Sequence, residues 1–205
     1  MNAHWKEHLV FYKDERLALF IDGPNTHSAA KALGFDIDYK LLKKEFTQRG
    51  KLLRAYYYTP LIDEESEYSP VRPLVDWLGY NGFEVVTKEV RRYSDQDGRT
   101  KPKGNMSVDL AVDAMEIAPT VAHVVLFSGD SAYCPLVKSL KRQGVRVSVV
   151  STIQSDSPMI ADELRRLADN FIELKDLQSV IGRPPREHNE WLSQRPHNTV
   201  RPFLF

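Results

Sequence analysis

Leu17-Ala18-Leu19-Phe20-Ile21-Asp22-Gly23-Pro24-Asn25 decides how this chain is read, because an apolar run passes directly into a carboxylate, a turn residue and an amide. A short, continuous apolar run ended by glycine and proline is the pattern of a buried strand. Gly23 relaxes the turn that follows, and Pro24 suits the first turn of a helix. In open parallel α/β sheets, ligands collect just outside the carboxyl ends of the strands. Asp22 and Asn25 therefore stand where a site is expected. Both side chains are also good helix caps, which is the competing structural reading.

A second stretch has the same form. Val124-Val125-Leu126-Phe127 reads as a buried strand and runs into Ser128-Gly129-Asp130-Ser131, which puts Asp130 at a strand end as Asp22 is. On neighbouring strands, roughly 5 Å apart, the two carboxylates would repel each other unless a cation lay between them. Oxygen donors of this kind suit Mg²⁺ or Mn²⁺. The helix predicted from Ser107 adds Asp109, Asp113 and Glu116 at i, i+4 and i+7 on an otherwise apolar segment. These three acids are read either as the helix's solvent face or as an extension of the acidic crevice. Near a helix N-terminus carboxylates are favoured in any case.

Around these motifs, apolar runs alternate with helical patterns, the signature of a mostly parallel sheet covered by helices on both faces. Strands are expected near 17–21, 52–58, 83–87, 122–127 and 145–150, with a short sixth at 170–174; helices are expected at 38–49, 68–81, 107–118, 132–143 and 158–168. Residues 88–106 form a longer, charged connection read as an exposed loop or hairpin. From 88 to 103, six basic residues (Lys88, Arg91, Arg92, Arg99, Lys101, Lys103) outnumber three acids (Glu89, Asp95, Asp97), a local excess that can meet a phosphodiester backbone. Tyr56, Tyr57, Tyr58 and Tyr93 offer aromatic surface, although strand alternation makes part of the tyrosine run core.

The 205 residues suit one domain with a sizeable core, expected to span 1–182, and a Pro- and Arg-containing tail at 183–205. The apolar end of that tail, Val200 to Phe205, is expected to dock on the domain or on a second copy, giving a homodimer. With 28 basic and 28 acidic residues, no global field draws the chain to nucleic acid or to lipid. The single cysteine, Cys134, excludes an intrachain disulfide and a cysteine zinc cluster and is expected in the core. No run is long enough for a membrane span and no signal peptide is seen, so a cytoplasmic protein is expected.

Three motifs in order carry a resemblance: Phe20-Ile21-Asp22-Gly23-Pro24-Asn25, then Lys103-Gly104-Asn105-Met106 leading into Val108-Asp109-Leu110-Ala111-Val112-Asp113, then Leu126-Phe127-Ser128-Gly129-Asp130-Ser131. Over 16–175 the chain resembles the NYN domain of the LabA-like group, within the PIN-like nuclease superfamily. Gly144 to Val147 and Ala161 to Leu164 sit where that family places its last strand and helix. The resemblance implies a Rossmann-like three-layer α/β sandwich with a five- to six-stranded, mostly parallel sheet. It also implies RNA cleavage by divalent metal, Mg²⁺ or Mn²⁺, held by clustered aspartates. Carried over, Asp22 and Asp130 become metal ligands, with Asp113 and Asp109 as further candidates. Asn25 orients a ligand or water, and Ser128 supports the site. Arg91, Arg92, Lys101, Lys103 and Asn105 are the candidates for contact with RNA.

Two positions depart from the family pattern. Ser107 stands where Lys-Gly-Asn-Met is commonly followed by Asp, and Ala132 stands where Ser-Gly-Asp-Ser is commonly followed by Asp. Loss of two ligands weakens metal binding. Asp109 cannot replace an acid at 107, since helical residues two apart point to roughly opposite sides; Asp113 is better placed. Two functions therefore stand side by side: a metal-dependent ribonuclease, weakened or inactive, and a non-catalytic RNA-binding or regulatory module with the same fold. Deliberate inactivation of a nuclease would leave the same two residues.

Overall fold

The computed structural model describes residues 10–62, 71–90, 92–94, 100–102 and 106–183. Its centre is a six-stranded, entirely parallel sheet. Strands β1 (Arg16–Asp22), β2 (Lys51–Ile62) and β3 (Glu84–Val90) build one half, and β6 (His123–Phe127), β7 (Arg146–Ser151) and β8 (Asn170–Glu173) build the other. The spatial order is β3-β2-β1-β6-β7-β8. Counted within the sheet alone, this is 3-2-1-4-5-6, the doubly wound order whose direction reverses between the first and fourth strands. The expected Rossmann-like α/β sandwich is thus observed, with all six strands present. Between the halves, β4 (Arg92–Ser94) and β5 (Thr100–Pro102) pair antiparallel, so the charged connection does contain a two-stranded ribbon.

Alternation along β1 divides the core in two. Leu17, Leu19 and Ile21 face a layer made by α1 (Gly23–Ala32), α2 (Tyr39–Arg49), α3 (Arg72–Tyr80) and α7 (Leu174–Ile181), whose contributions include Ala29, Leu42, Phe46, Leu78 and Ile181. Ala18 and Phe20 face α4 (Ser107–Ile117), α5 (Cys134–Arg142) and α6 (Asp162–Leu167), through Leu110, Ala114, Val137, Leu140 and Leu164. Every residue of β6 is buried, as are Leu17 to Ile21, which explains their unbroken apolar runs. Cys134 is buried in the second core as a free thiol.

Helix α7 was not anticipated, because its eight residues follow β8 without a turn signal. It caps itself through Glu173, whose side chain accepts from the Lys175 N–H, and buries Leu174, Leu177 and Ile181. Helix α3 begins later than the 68–81 pattern predicts, and 63–70 lie outside the described residues, as do Arg91, Lys103, Asn105 and 184–205. The tail and its proposed dimer contact therefore belong to residues not described. No helix among the described residues is long and apolar enough to cross a membrane.

The amino ends of β6 and β7 hold a buried polar cluster. His123, fully buried, shares a 2.7 Å hydrogen bond between Nε2 and Ser148 Oγ, and Phe11 lies over its ring at 5.0 Å. Its Nδ1 lies 3.5 Å from Glu15 Oε2, yet Glu15 Oε1 is already held by Arg146 at 2.8 Å. Burial, reinforced by the Arg146 charge, outweighs the opposing Asp169 charge and lowers the His123 pKa to about 4. The folded state thus prefers neutral imidazole, while the unfolded chain takes a proton near pH 6.5. Stability from this residue is complete above pH 6.5 and is lost as pH falls through about 4, a total of roughly 3 kcal/mol. Urea unfolding between pH 7.5 and 4 should show that acid loss in the native chain and a flatter profile in His123→Gln.

Candidate active site

Register explains why the two strand-end motifs meet. In the β1–β6 ladder Ile21 lies opposite Phe127, so the next residues, Asp22 and Ser128, emerge together at the carboxyl edge. Thr26 Oγ1 donates to the Phe127 carbonyl at 3.0 Å and ties the first turn of α1 to the end of β6. The crevice thus falls between β1 and β6, where the sheet order reverses.

Asp22 is the centre of the arrangement. Its Oδ1 accepts from the Asn25 N–H at 3.3 Å, which caps α1, and its Oδ2 accepts from Ser128 Oγ at 3.0 Å and from the Tyr133 hydroxyl at 3.2 Å. The capping reading is therefore correct but incomplete, because the other oxygen faces the second motif. Ser128 Oγ also accepts from the Asp130 N–H at 3.2 Å, and so links the backbone of one acid to the carboxylate of the other. Asn25 Oδ1 accepts from the Gly129 N–H at 2.9 Å. Asp130 Oδ1 accepts from the Ala132 N–H at 2.9 Å and caps the short 3₁₀ turn Ser131–Tyr133.

Burial raises the Asp22 pKa; the donors Asn25, Ser128 and Tyr133 oppose that rise, and the Asp130 charge adds to it. The Tyr133 hydroxyl is pushed up well beyond its ordinary range by burial and by the Asp22 charge. Ser107, at the position of the first missing acid, lies near that hydroxyl and opposes part of the rise.

The remaining candidates are more dispersed. Asp113 Oδ2 accepts from the Tyr58 hydroxyl at 2.8 Å, and Asp109 pairs with Lys88 at 3.0 Å. Tyr57 and Tyr58 are core residues, and only Tyr56 of that run keeps a half-buried ring. Arg92 and Lys101 sit on β4 and β5, placed one register step apart by the pairs Arg92–Pro102 and Tyr93–Lys101. Arg91, Lys103 and Asn105 lie outside the described residues.

Among the described residues no three His, Cys, Asp or Glu side chains gather round one point. The oxygens brought together are Asp22 Oδ2 and the Ser128 hydroxyl, with Asp130 on the same strand edge and its charge felt by Asp22. An all-oxygen set with two acids suits one hard cation that keeps most of its water. It does not provide the ligands for a pair of ions.

Two contributors were not read from the sequence. Tyr133 is buried and carries no motif signal; only its place one 3₁₀ turn after Asp130 pointed to it. In the sequence Gly129 is only part of the strand-end motif. A Cβ there would lie 1.8 Å from the Met159 carbonyl oxygen, and its own carbonyl accepts from the Ala161 N–H at 2.9 Å.

Two outcomes follow from this geometry. Gly129→Ala should cost about 1–3 kcal/mol in urea unfolding, since backbone must move to admit the methyl group. For Asp22, a raised folded-state pKa means that the protonated form is the favoured one; its contribution is present below the unfolded value and is lost as pH rises through the folded one. The stability of Asp22→Asn relative to the native chain should therefore increase between pH 4 and pH 7, as measured by denaturant midpoints.

Comparison with known proteins agrees with this geometry. The NYN domain profile matches residues 16–175. The chain is 30% identical over 179 residues to the low amplitude and bright protein LabA of Synechococcus elongatus, covering 85% of this chain and 92% of that protein. The crystal structure of a Vibrio parahaemolyticus protein of unknown function superposes with a TM-score of 0.65 at 27% identity, covering 83% of this chain and 97% of the other. With the expected motifs on adjacent strand ends of a doubly wound sheet, the chain belongs to the NYN domain family, as a LabA-like member of the PIN-like nuclease lineage.

Proposed function

We propose that this chain is a ribonuclease-type domain that binds RNA across the β1–β6 crevice and hydrolyses its phosphodiester bonds slowly, with one divalent cation, Mg²⁺ or Mn²⁺. The observation that carries this reading is the Ser128 hydroxyl, which joins Asp22 Oδ2 to the Asp130 backbone and keeps both acids at one strand edge. Asp22 and Asp130 would hold the ion. Bound there, it would lower the pKa of a water and offset charge on the phosphate. Asn25 positions the Gly129 backbone, and Tyr133 and Ser128 orient the Asp22 carboxylate. Arg91, Arg92, Lys101, Lys103 and Asn105 are the proposed RNA contacts, with Lys88 held by Asp109 beside them. The domain is taken as 1–182, with the tail at 183–205 as a contact for a second copy. The unpaired, buried thiol of Cys134 supports a cytoplasmic setting.

A second reading has its own support. Asp22 already receives three hydrogen bonds from its own chain, and Ser107 and Ala132 add no charge. These features favour a crevice that binds RNA without turnover.

An RNA cleavage assay with Mn²⁺ separates the two. If the site is a weakened nuclease, Ser107→Asp combined with Ala132→Asp should raise cleavage by roughly 100-fold over the native chain, because even outer-shell losses at metal sites cost 10–100-fold. If neither protein cleaves and Lys101→Ala with Lys103→Ala weakens RNA binding, the module is non-catalytic. Absence of RNA binding by the native chain would refute both readings.

A further inference from the structure

The crevice occupies one end of the sheet. At the other end, where β2 and β3 begin, a groove opens between α2 and the turn joining α3 to β3. It consists of two adjoining cavities of 440 and 560 Å³ that share Lys43, Thr47 and Phe83. Lys40 and Lys44 line its helical wall, and Arg54 and Glu84 line its sheet wall. Four cations thus surround the groove against one carboxylate, in a chain of zero net charge.

These cations differ in what holds them. Lys43 Nζ donates to the carbonyls of Asn81 at 2.9 Å and Gly82 at 2.7 Å and lies 5.4 Å from the Phe83 ring centre. It fixes the α3–β3 turn against α2 and is not free to take a ligand. Arg54 makes one hydrogen bond, to the Leu53 carbonyl at 2.9 Å. Lys40 and Lys44 have no side-chain partner among the described residues and are neighbours at i and i+4, where like charges repel. No carboxylate among the described residues pairs with either lysine, and an anion in the groove would offset that repulsion.

The rim supplies a second, independent feature. Gly79 and Asn81 both line the groove, and Tyr80 between them is 92% exposed. Trp77, one turn earlier on α3, is 38% exposed. Cations that meet phosphates, placed beside aromatic rings that stack bases, are the two components of sequence-tolerant single-strand binding. An acidic peptide would use the cations alone and leave Tyr80 in water.

We infer that the groove between α2 and the α3–β3 turn is a second binding site for single-stranded nucleic acid, in which Lys40, Lys44 and Arg54 meet phosphates and Tyr80 stacks on a base. The inference rests on the reading of the chain as an RNA-handling domain. Glu84 at the groove and Lys88 toward the crevice end of β3 are about 13 Å apart, with β1 two strands across from them.

The test is fluorescence anisotropy of an oligouridylate of roughly twelve nucleotides, titrated with the full chain over a salt series. Lys40→Ala combined with Lys44→Ala should weaken binding about tenfold and flatten the slope of log affinity against log salt by about 1.4, from two lost phosphate contacts. Tyr80→Ala should weaken it roughly tenfold with the slope unchanged. All three side chains are exposed or on the rim, and unchanged thermal unfolding would confirm intact folding. If both variants bind as the native chain does while Lys101→Ala with Lys103→Ala weakens binding, the groove inference is overturned and the RNA reading stands. If the native chain does not bind the oligonucleotide, the RNA reading fails and the groove inference with it. Binding of polyglutamate that needs Lys40 and Lys44, with RNA binding unaffected, would overturn the inference in favour of an acidic protein partner.

Discussion

The parallel pairing of β1 with β6 is the constraint on which the site depends. It joins residues more than 100 positions apart in sequence and sets Ile21 opposite Phe127, and every contact at the carboxyl edge follows from that step. A slip of one residue would exchange the faces of β1, exposing Leu19 and Ile21 to the wrong helical layer. The two cores, each closed by its own helices, forbid that slip. Asp22 and Ser128 are therefore positioned by hydrophobic packing several residues away. The polar contacts between them only complete the placement.

What the edge then does with Asp22 is a matter of competing solvation. Partial burial disfavours the carboxylate, and the chain offsets this with one amide and two hydroxyl donors. Tyr133 is itself raised by burial, so it remains a hydroxyl donor over the physiological range. A neutral Ser107 fits this network, since an acid there would add another negative charge beside Asp22. The site is consequently self-satisfied to a degree that a cluster of free carboxylates would not be. Under the proposed nuclease reading, that would be a physical reason for slow chemistry which does not depend on counting missing ligands.

Much of this was legible in the residues. Apolar runs ended by Asp22 and Asp130 gave the central strands, and the alternation of strands with helices gave a mostly parallel sheet covered on its faces. Capping by Asp22 was also readable, because Gly-Pro-Asn opens a helix. Tyr133 was not, since a buried tyrosine after a strand looks like any core aromatic until its hydroxyl is located. Helix α7 escaped because Leu174, Leu177 and Ile181 follow β8 without a break. The wall formed by Lys40 and Lys44 could be drawn on a helical wheel, but the facing wall of Arg54, Gly79 and Asn81 comes from two other elements. Juxtaposition of this kind has no local signature.

Helix α7 has one more consequence. It returns after β8 to the layer begun by α1 and α2, buries Leu177 and Ile181 there, and is tied to the α1–α2 connection by a bridge between Ile37 and Gly182 and by the Asp38 N–H to the Ile181 carbonyl at 2.8 Å. The first two described helices therefore keep part of their apolar surface uncovered until α7 has been made. Folding of this chain cannot be completed domain-half by domain-half during translation. Transiently exposed apolar surface of that kind is prone to aggregation until α7 covers it.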